Sequence, residues 1–258
     1  MTSLDRNGIE GRIPHRYENL LLDSCTPEPD NPGNGVFAVT ITKDDPIGRS
    51  LFTQTLPEGT RLLTSISMEV LALGAIASTA EIPEGYVAYF AAISNFSRNG
   101  EALNAASGLS GQINKISDKG GFYRYKGTLK DTQGNETTGD VLAFYTKVSD
   151  AADAETEGKK VEVPGQQNPV AVPAPPWKTE SMRVVDSLSW HNDDYSEWTC
   201  QYTYPASHPL TKGHFPDNPV MMGVMQWMMA EDAVWGLHQS NPVAPGIQTI
   251  NVNILKLD

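Results

Sequence analysis

The sequence predicts an α+β fold in which one arrangement of strands and a long helix occurs twice. Three observations support this prediction. Two long segments, residues 62–77 and 220–237, are apolar almost all round, which is typical of helices buried in a core. Alternating runs of β-forming residues flank both segments. Short sequence similarities also recur in the same order around the two helices, which indicates an internal duplication.

The first copy spans residues 1–148. Its landmarks are L-L-D-S at residues 21–24, a strand at 36–41, T-L-P-E at 55–58 and the helix at 62–77. We expect four further strands at 86–93, 101–115, 122–130 and 140–148, separated by glycine-containing turns.

The second copy spans residues 177–258 and follows a linker. Residues 149–176 contain five prolines and few large apolar side chains, a composition typical of an extended linker. The matching landmarks are V-V-D-S at 184–187, a strand at 198–204, H-F-P-D at 214–217, the helix at 220–237 and a strand at 247–255. The three strands expected at 101–115, 122–130 and 140–148 of the first copy have no counterpart in the second copy. Because an open sheet edge around a buried helix would be exposed, we expect a missing segment or a partner chain to complete this copy.

Charge and composition exclude several classes of function. A formal net charge of −12 argues against nucleic-acid binding, because the phosphate backbone would be repelled. The longest apolar runs are too short to span a bilayer, and no signal peptide precedes them, so we expect a cytoplasmic protein. Two distant cysteines, Cys25 and Cys200, predict neither a disulfide framework nor a zinc site. The methionines around residue 225 indicate core packing and not a metal site.

Two motifs resemble one enzyme family. Residues 213–224, G-H-F-P-D-N-P-V-M-M-G-V, are similar to the G-H-F-P-x-x-P-x-M-P-G-V motif of the 3-hydroxyacyl-[acyl-carrier-protein] dehydratases. Residues 13–23, I-P-H-R-Y-E-N-L-L-L-D, resemble the L-P-H-R-Y-P-F-L-L-V-D segment of the same family. The resemblance implies a hotdog fold, a long antiparallel sheet wrapped around one helix. With the internal repeat it implies a double hotdog.

The resemblance also implies catalytic roles. Dehydration needs a base for the C2 proton and an acid for the departing 3-hydroxyl. The family's base is the histidine of the H-F-P motif, here His214, and its acid lies fourteen positions later, where this chain has Met228. The first copy has Glu69 at the position of Met228 and Thr55 at that of His214. Since the family builds each site from two hotdogs, we expect His214 and Glu69 to form one working site, and the opposite site to be inert.

The same resemblance implies the substrate-binding groups. Backbone amides at the start of the Glu69 helix, around Thr64 and Ser65, are expected to hold the thioester oxygen. Thr64 replaces a family glycine and would narrow the entrance. Phe215, in the motif, and Gly223, the retained glycine on the other helix, complete the expected set. No cofactor or metal is expected, and the substrate would be carried by an acyl carrier protein or coenzyme A.

Other interpretations remain open from sequence alone. His214 and Glu69 are also explained as a structural histidine and a structural carboxylate, and Glu231 or Asp232 offers another acid one turn beyond Met228. His15 and Arg16 are expected to organise the N-terminal segment without a catalytic role. Besides a dehydratase, the alternatives are a hotdog thioesterase, with Glu69 activating water, and a non-catalytic module that binds acyl chains or a partner subunit.

Overall fold

The computed structural model describes most of the chain. The described residues are 2–57, 59–79, 85–147, 169–191, 198–202, 208, 210, 212–214 and 222–240. They form two compact units. The first comprises residues 1–154 and 210–220, and the second comprises residues 155–209 and 221–258.

The first unit contains a six-stranded antiparallel sheet and a separate hairpin. The strands of the sheet are β1 (Ser24–Pro27), β2 (Gly35–Val39), β5 (Tyr86–Asn99), β6 (Leu109–Lys119), β7 (Phe122–Asp131) and β8 (Glu136–Lys147). Their order is β1-β2-β6-β7-β8-β5. The hairpin is formed by β3 (Thr53–Leu56) and β4 (Gly59–Leu62), and a short helix, α1 (Arg6–Glu10), precedes β1.

A long helix, α2 (Thr64–Ser78), forms the core of this unit. It packs against all six strands of the sheet, and every one of its residues after Thr64 is buried. Two register shifts in β5 add local twist, which helps the sheet to curve around the helix. Close packing is visible where the ring of Phe37 on β2 fills the space left by Gly74 on α2, since a Cβ there would collide with the ring.

The second unit contains a shorter version of the same pattern. Its described elements are β9 (Val170–Ala171), β10 (Ser187–Trp190), β11 (Trp198–Gln201) and the helix α3 (Gly223–Ser240). The strands form an antiparallel sheet in the order β11-β10-β9. Val185, Leu188, Ala233 and Leu237 form an apolar core between sheet and helix, and Met229 packs against it.

The predicted elements agree with the observed ones in type and order. Both long helices are confirmed, although α3 spans Gly223–Ser240 where the sequence predicts 220–237. L-L-D-S and V-V-D-S each lie at the start of an antiparallel strand pair, β1–β2 or β10–β11, and the duplication itself stays a prediction. The predicted strand at 101–115 begins only at Leu109, because residues 105–107 form a 3-10 turn. The predicted strand at 247–255 and residues 149–168 of the predicted linker lie outside the described residues. Within the rest of that predicted linker, Val170–Ala171 form β9 and Val172 is part of the apolar core of the second unit. The boundaries at 148 and 176 stay predictions.

The chain thus has an α+β hotdog fold. A long buried helix enclosed by an antiparallel sheet is present in the first unit, and the described part of the second unit repeats its strand pair and helix. No helix among the described residues is long and apolar enough to cross a membrane.

Candidate active site

Glu69 is the only acidic side chain in α2 and lies in its second turn, between the fully buried Met68 and Val70. Only 4% of Glu69 is exposed to solvent. An ionised carboxylate in such surroundings is costly unless a polar group accompanies it. The structure supplies that group from outside the helix.

The polar group comes from the N-terminal strap, which we define as residues 13–20. His15 lies in this strap and is 4% exposed, and its Nε2 atom is 3.4 Å from Oε1 of Glu69. Arg16 fixes the strap locally, because its guanidinium donates hydrogen bonds to the backbone carbonyls of Ile13 and His15. The strap therefore presents an imidazole to the carboxylate from a constrained backbone.

The strap also holds the segment that carries His214. The Arg16 backbone N–H donates to the Gly213 carbonyl at 2.8 Å, and the Asn19 side-chain amide donates to the Leu210 carbonyl at 3.0 Å. Lys212 lies over the ring of Tyr17, 4.5 Å from its centroid. Gly213 is required by this close approach, since a Cβ would collide with the Arg16 carbonyl and the Asn19 amide.

His214, His15 and Glu69 consequently form one buried cluster. The rings of His15 and His214 meet edge to face with their centroids 4.9 Å apart, and His214 is 7% exposed. All three residues belong to the first unit, because residues 210–220 are grouped with it and not with α3. Two imidazoles and a carboxyl group in one buried cluster are suited to general acid–base chemistry.

The start of α2, about one helical turn before Glu69, offers hydrogen-bond donors. Leu63, the residue that precedes the helix, supplies no side-chain cap for the first backbone N–H groups. Ser65 is fully buried, and its hydroxyl has no hydrogen-bond partner among the described residues. Because Ser65 and Glu69 are four positions apart, they share a face of α2. The Thr64 hydroxyl accepts a hydrogen bond from the exposed Arg98 at 3.1 Å.

The remaining residues that the sequence singled out lie elsewhere. Phe215 is outside the described residues, and Gly223 begins α3 in the second unit. Met228 is buried in α3, whereas Thr55 is exposed on β3. Asp232 is fully buried and accepts hydrogen bonds from the Lys178 ammonium at 2.5 Å and the Val184 N–H at 3.1 Å, a structural ion pair within the second unit.

Other reactive groups do not suggest a different chemistry. Burial raises the pKa of both thiols, Cys25 and Cys200, so neither is a reactive thiolate near neutral pH. Burial likewise raises the pKa of Tyr125, whose hydroxyl is 2.8 Å from that of Thr79 at the end of α2. In the described part of the chain, no group of three or more His, Cys, Asp or Glu residues is arranged to hold a metal ion.

His15 is the member of the cluster to which sequence reasoning gave no role in the site. The available signal was its place in the H-R-Y segment, the second motif of the resemblance. Nothing in the sequence shows that residue 15 approaches residues 69 and 214, because this proximity arises only from the path of the strap across α2.

The fold and the site define a hotdog-fold protein with a buried cluster of two histidines and a glutamate at its central helix. No protein-family profile matches the chain, and no curated protein matches it. Solved structures resemble parts of it. The dehydratase heterocomplex ApeI:P from Xenorhabdus doucetiae is 16% identical, with a TM-score of 0.46 over 58% of this chain and 97% of that chain.

Two further matches have similar extent. A mutant thioesterase from Pseudomonas aeruginosa is 13% identical, with a TM-score of 0.41 over 56% of this chain and 96% of that chain. A hot-dog-like protein from Thermanaerovibrio acidaminovorans is 12% identical, with a TM-score of 0.39 over 50% of this chain and 94% of that chain. A dehydratase and a thioesterase are both among these similar structures, so the similarities do not distinguish between the two activities.

Proposed function

We propose that the protein catalyses the reversible dehydration of 3-hydroxyacyl thioesters to trans-2-enoyl thioesters, with His214 as base and Glu69 as acid. The observation that carries the proposal is the buried cluster of His214, His15 and Glu69 in one unit. It supplies the two kinds of group that the reaction needs, an imidazole for the C2 proton and a carboxylic acid for the leaving hydroxyl.

The proposed reaction follows from these roles. His214 takes the proton from C2, the C3–O bond breaks as the C2–C3 double bond forms, and protonated Glu69 gives its proton to the departing hydroxyl, which leaves as water. Negative charge develops on the thioester oxygen in the transition state. The uncapped N–H groups at the start of α2 and the Ser65 hydroxyl are the donors that would stabilise it.

The substrate enters this scheme as a thioester of acyl carrier protein or of coenzyme A. Carrier proteins are usually acidic, and the only dense basic group of the chain lies on β6 and β7. Its members are Lys115, Lys119, Arg124, Lys126 and Lys130. Lys130 is paired with Glu136 at 2.5 Å and Lys115 lies 4.0 Å from Asp118, so this group is partly neutralised. We therefore propose no carrier-docking role for it.

The test is turnover of 3-hydroxyacyl-CoA and 2-enoyl-CoA by the full chain, followed through formation or loss of the enoyl group and through release of free thiol. We expect interconversion without thiol release. His214→Ala and Glu69→Gln should each lower kcat by about 10²–10⁴-fold, the usual contribution of a general acid or base. Glu231→Gln, in α3, is the matched carboxyl control and should leave the rate unchanged.

Three outcomes would contradict the proposal. Thiol release that depends on Glu69 would identify a thioesterase. Activity that survives Glu69→Gln and disappears in Glu231→Gln would show that the acid is on the other helix. Full retention of acyl binding without any turnover would identify a binding module.

A further inference from the structure

His15 stands between the two residues to which the proposed reaction assigns proton transfer. Its Nε2 atom faces Oε1 of Glu69 at 3.4 Å, and the same ring meets the ring of His214 edge to face. The His15 imidazole thus contacts both Glu69 and His214. It belongs neither to α2, which carries Glu69, nor to the segment that carries His214.

The local structure restricts the His15 ring. Residue 15 is 4% exposed, and the neighbouring Ile13 is 2% exposed, so the strap is packed into the core around the imidazole. Arg16 binds the carbonyls of residues 13 and 15, at 2.7 Å and 2.8 Å, and closes the backbone around them. A constrained imidazole of this kind is able to hold a flexible glutamate side chain in one orientation.

We infer that His15 is a positioning residue for the proposed dehydration, one that orients the carboxyl group of Glu69 toward the reacting carbon chain. This inference rests on the proposed function, because it assumes that the Glu69 carboxyl group transfers a proton. The contact of 3.4 Å between Nε2 and Oε1 is longer than a strong hydrogen bond. Contacts of this kind are often long in the free enzyme and shorten when substrate binds.

For this role the hydrogen-bond donor of residue 15 should matter more than its ring. A side chain that keeps a donor near the Nε2 position should preserve the role, whereas an apolar ring of similar size should abolish it. His15→Gln carries a side-chain amide of suitable reach, and His15→Phe keeps the ring and its edge contact with His214 but has no donor. The pair therefore separates orientation of Glu69 from packing in the strap.

The experiment measures kcat and KM for dehydration in the full chain. We expect His15→Phe to lower kcat by about 10- to 100-fold with KM nearly unchanged, as expected for loss of orientation in the transition state. His15→Gln should recover most of that loss. In the Glu69→Gln background, His15→Phe should cause no additional loss, because there is then no acid to orient. Thermal unfolding of each variant reports whether the strap still packs.

The outcomes separate the two proposals. A parent protein that turns over no 3-hydroxyacyl or 2-enoyl thioester overturns the proposed function and the role of His15 with it. An active parent in which His15→Phe causes the same loss in the Glu69→Gln background as in the unchanged protein overturns the role of His15 alone. Equal activity of the parent and His15→Phe, or a loss confined to KM, overturns it as well.

Discussion

At the scale of single residues, the candidate site is distinguished by polar side chains that are buried in the apolar core. Glu69 is surrounded by apolar side chains of its own helix, and its polar contact comes from the distant His15. Ser65, one turn earlier, has a buried hydroxyl that has no partner among the described residues. A group of this kind lowers stability in the free protein, and it remains available to a ligand.

Ser65→Ala tests this availability. Removing an unsatisfied buried hydroxyl should leave the free energy of unfolding unchanged or raise it by about 1 kcal/mol. The same change should lower kcat/KM for the thioester by roughly tenfold, because a donor to the developing oxyanion is lost. Denaturant unfolding and steady-state kinetics provide the two measurements.

The matched control for Ser65 is Ser67→Ala, a second buried serine of α2 on a different face of the helix. It should not change kcat/KM. If Ser65→Ala lowers stability and leaves activity intact, its hydroxyl is a structural group and not a substrate donor.

At the scale of elements, the site depends on how the strap holds residues 210–214. The hydrogen bonds from Arg16 and Asn19 fix two carbonyls of this segment, and Gly213 allows the backbones to approach. Because His214 follows Gly213 directly, the position of its imidazole is coupled to this contact.

Gly213→Ala should therefore impair the site without unfolding the core. The added Cβ would collide with the Arg16 carbonyl and displace His214, and displacements of about 1 Å cost up to roughly 100-fold in rate. We expect a loss of about 10- to 100-fold in kcat, together with a small change in melting temperature.

Gly11→Ala is the control for this change, since a Cβ at residue 11 meets its nearest atom only at 3.5 Å. It should retain full activity. Wild-type activity in Gly213→Ala would show that the contact between the strap and residues 210–214 does not determine the position of His214.

The packing of α2 on the sheet gives a second prediction for an element. Alanine normally stabilises a helix by about 1 kcal/mol relative to glycine. At Gly74, however, the Cβ would collide with the Phe37 ring, so Gly74→Ala should destabilise the protein by about 1–3 kcal/mol. Denaturant unfolding measures the difference.

A double-mutant cycle identifies the cause of that loss. In the Phe37→Leu background the ring is absent, and Gly74→Ala should cost less or become stabilising. An equal cost in both backgrounds would mean that the collision with Phe37 is not responsible.

At the scale of the whole molecule, buried carboxylates link stability to pH. Asp131, at the end of β7, accepts backbone N–H bonds from Asn104, Gln133 and Asn135 at 2.8–3.0 Å, and so ties two loops together. Burial alone would raise the pKa of its carboxyl, but these donors and the side-chain amide of Asn135 outweigh burial and hold the pKa below its ordinary value. Burial acts in the same direction on the Asp45 carboxyl, whose pKa is nevertheless lowered because hydrogen bonds and charge from Arg49 outweigh it.

A lowered pKa in the folded state means that these groups contribute stability above the pKa of the unfolded chain. That contribution is lost as the pH falls through the lower folded value. We therefore expect the free energy of unfolding to decline below about pH 4, near the ordinary pKa of aspartate. Denaturant titrations between about pH 3 and pH 7 measure this dependence.

Asp131→Asn isolates one contributor. At about pH 7 the variant should be less stable by about 1–3 kcal/mol, since neutral acceptors form weaker hydrogen bonds than carboxylates. The difference from the parent should shrink as the pH approaches about 3. A difference that is constant across this range would rule out a charged role for Asp131.

The sequence by itself determined the types of most elements, and it pointed to His214 and Glu69, which lie together in the candidate site. The continuous apolar run at 62–77 identifies α2, because a helix buried on all sides must be apolar on all sides. The run at 220–237 identifies α3 as a helix, although only part of α3 is buried. Alternation identifies the long strands of the sheet. Glu69 was recognisable as the single charge within α2.

Only the tertiary structure decided which polar groups meet. The contact of His15 with Glu69 and His214 joins three positions that are far apart along the chain, and no local pattern encodes such a contact. The placement of Leu210, Lys212 and Gly213 in the first unit likewise depends on the strap, which contacts all three. Periodicity reflects the environment of one element, whereas a site depends on the packing of several.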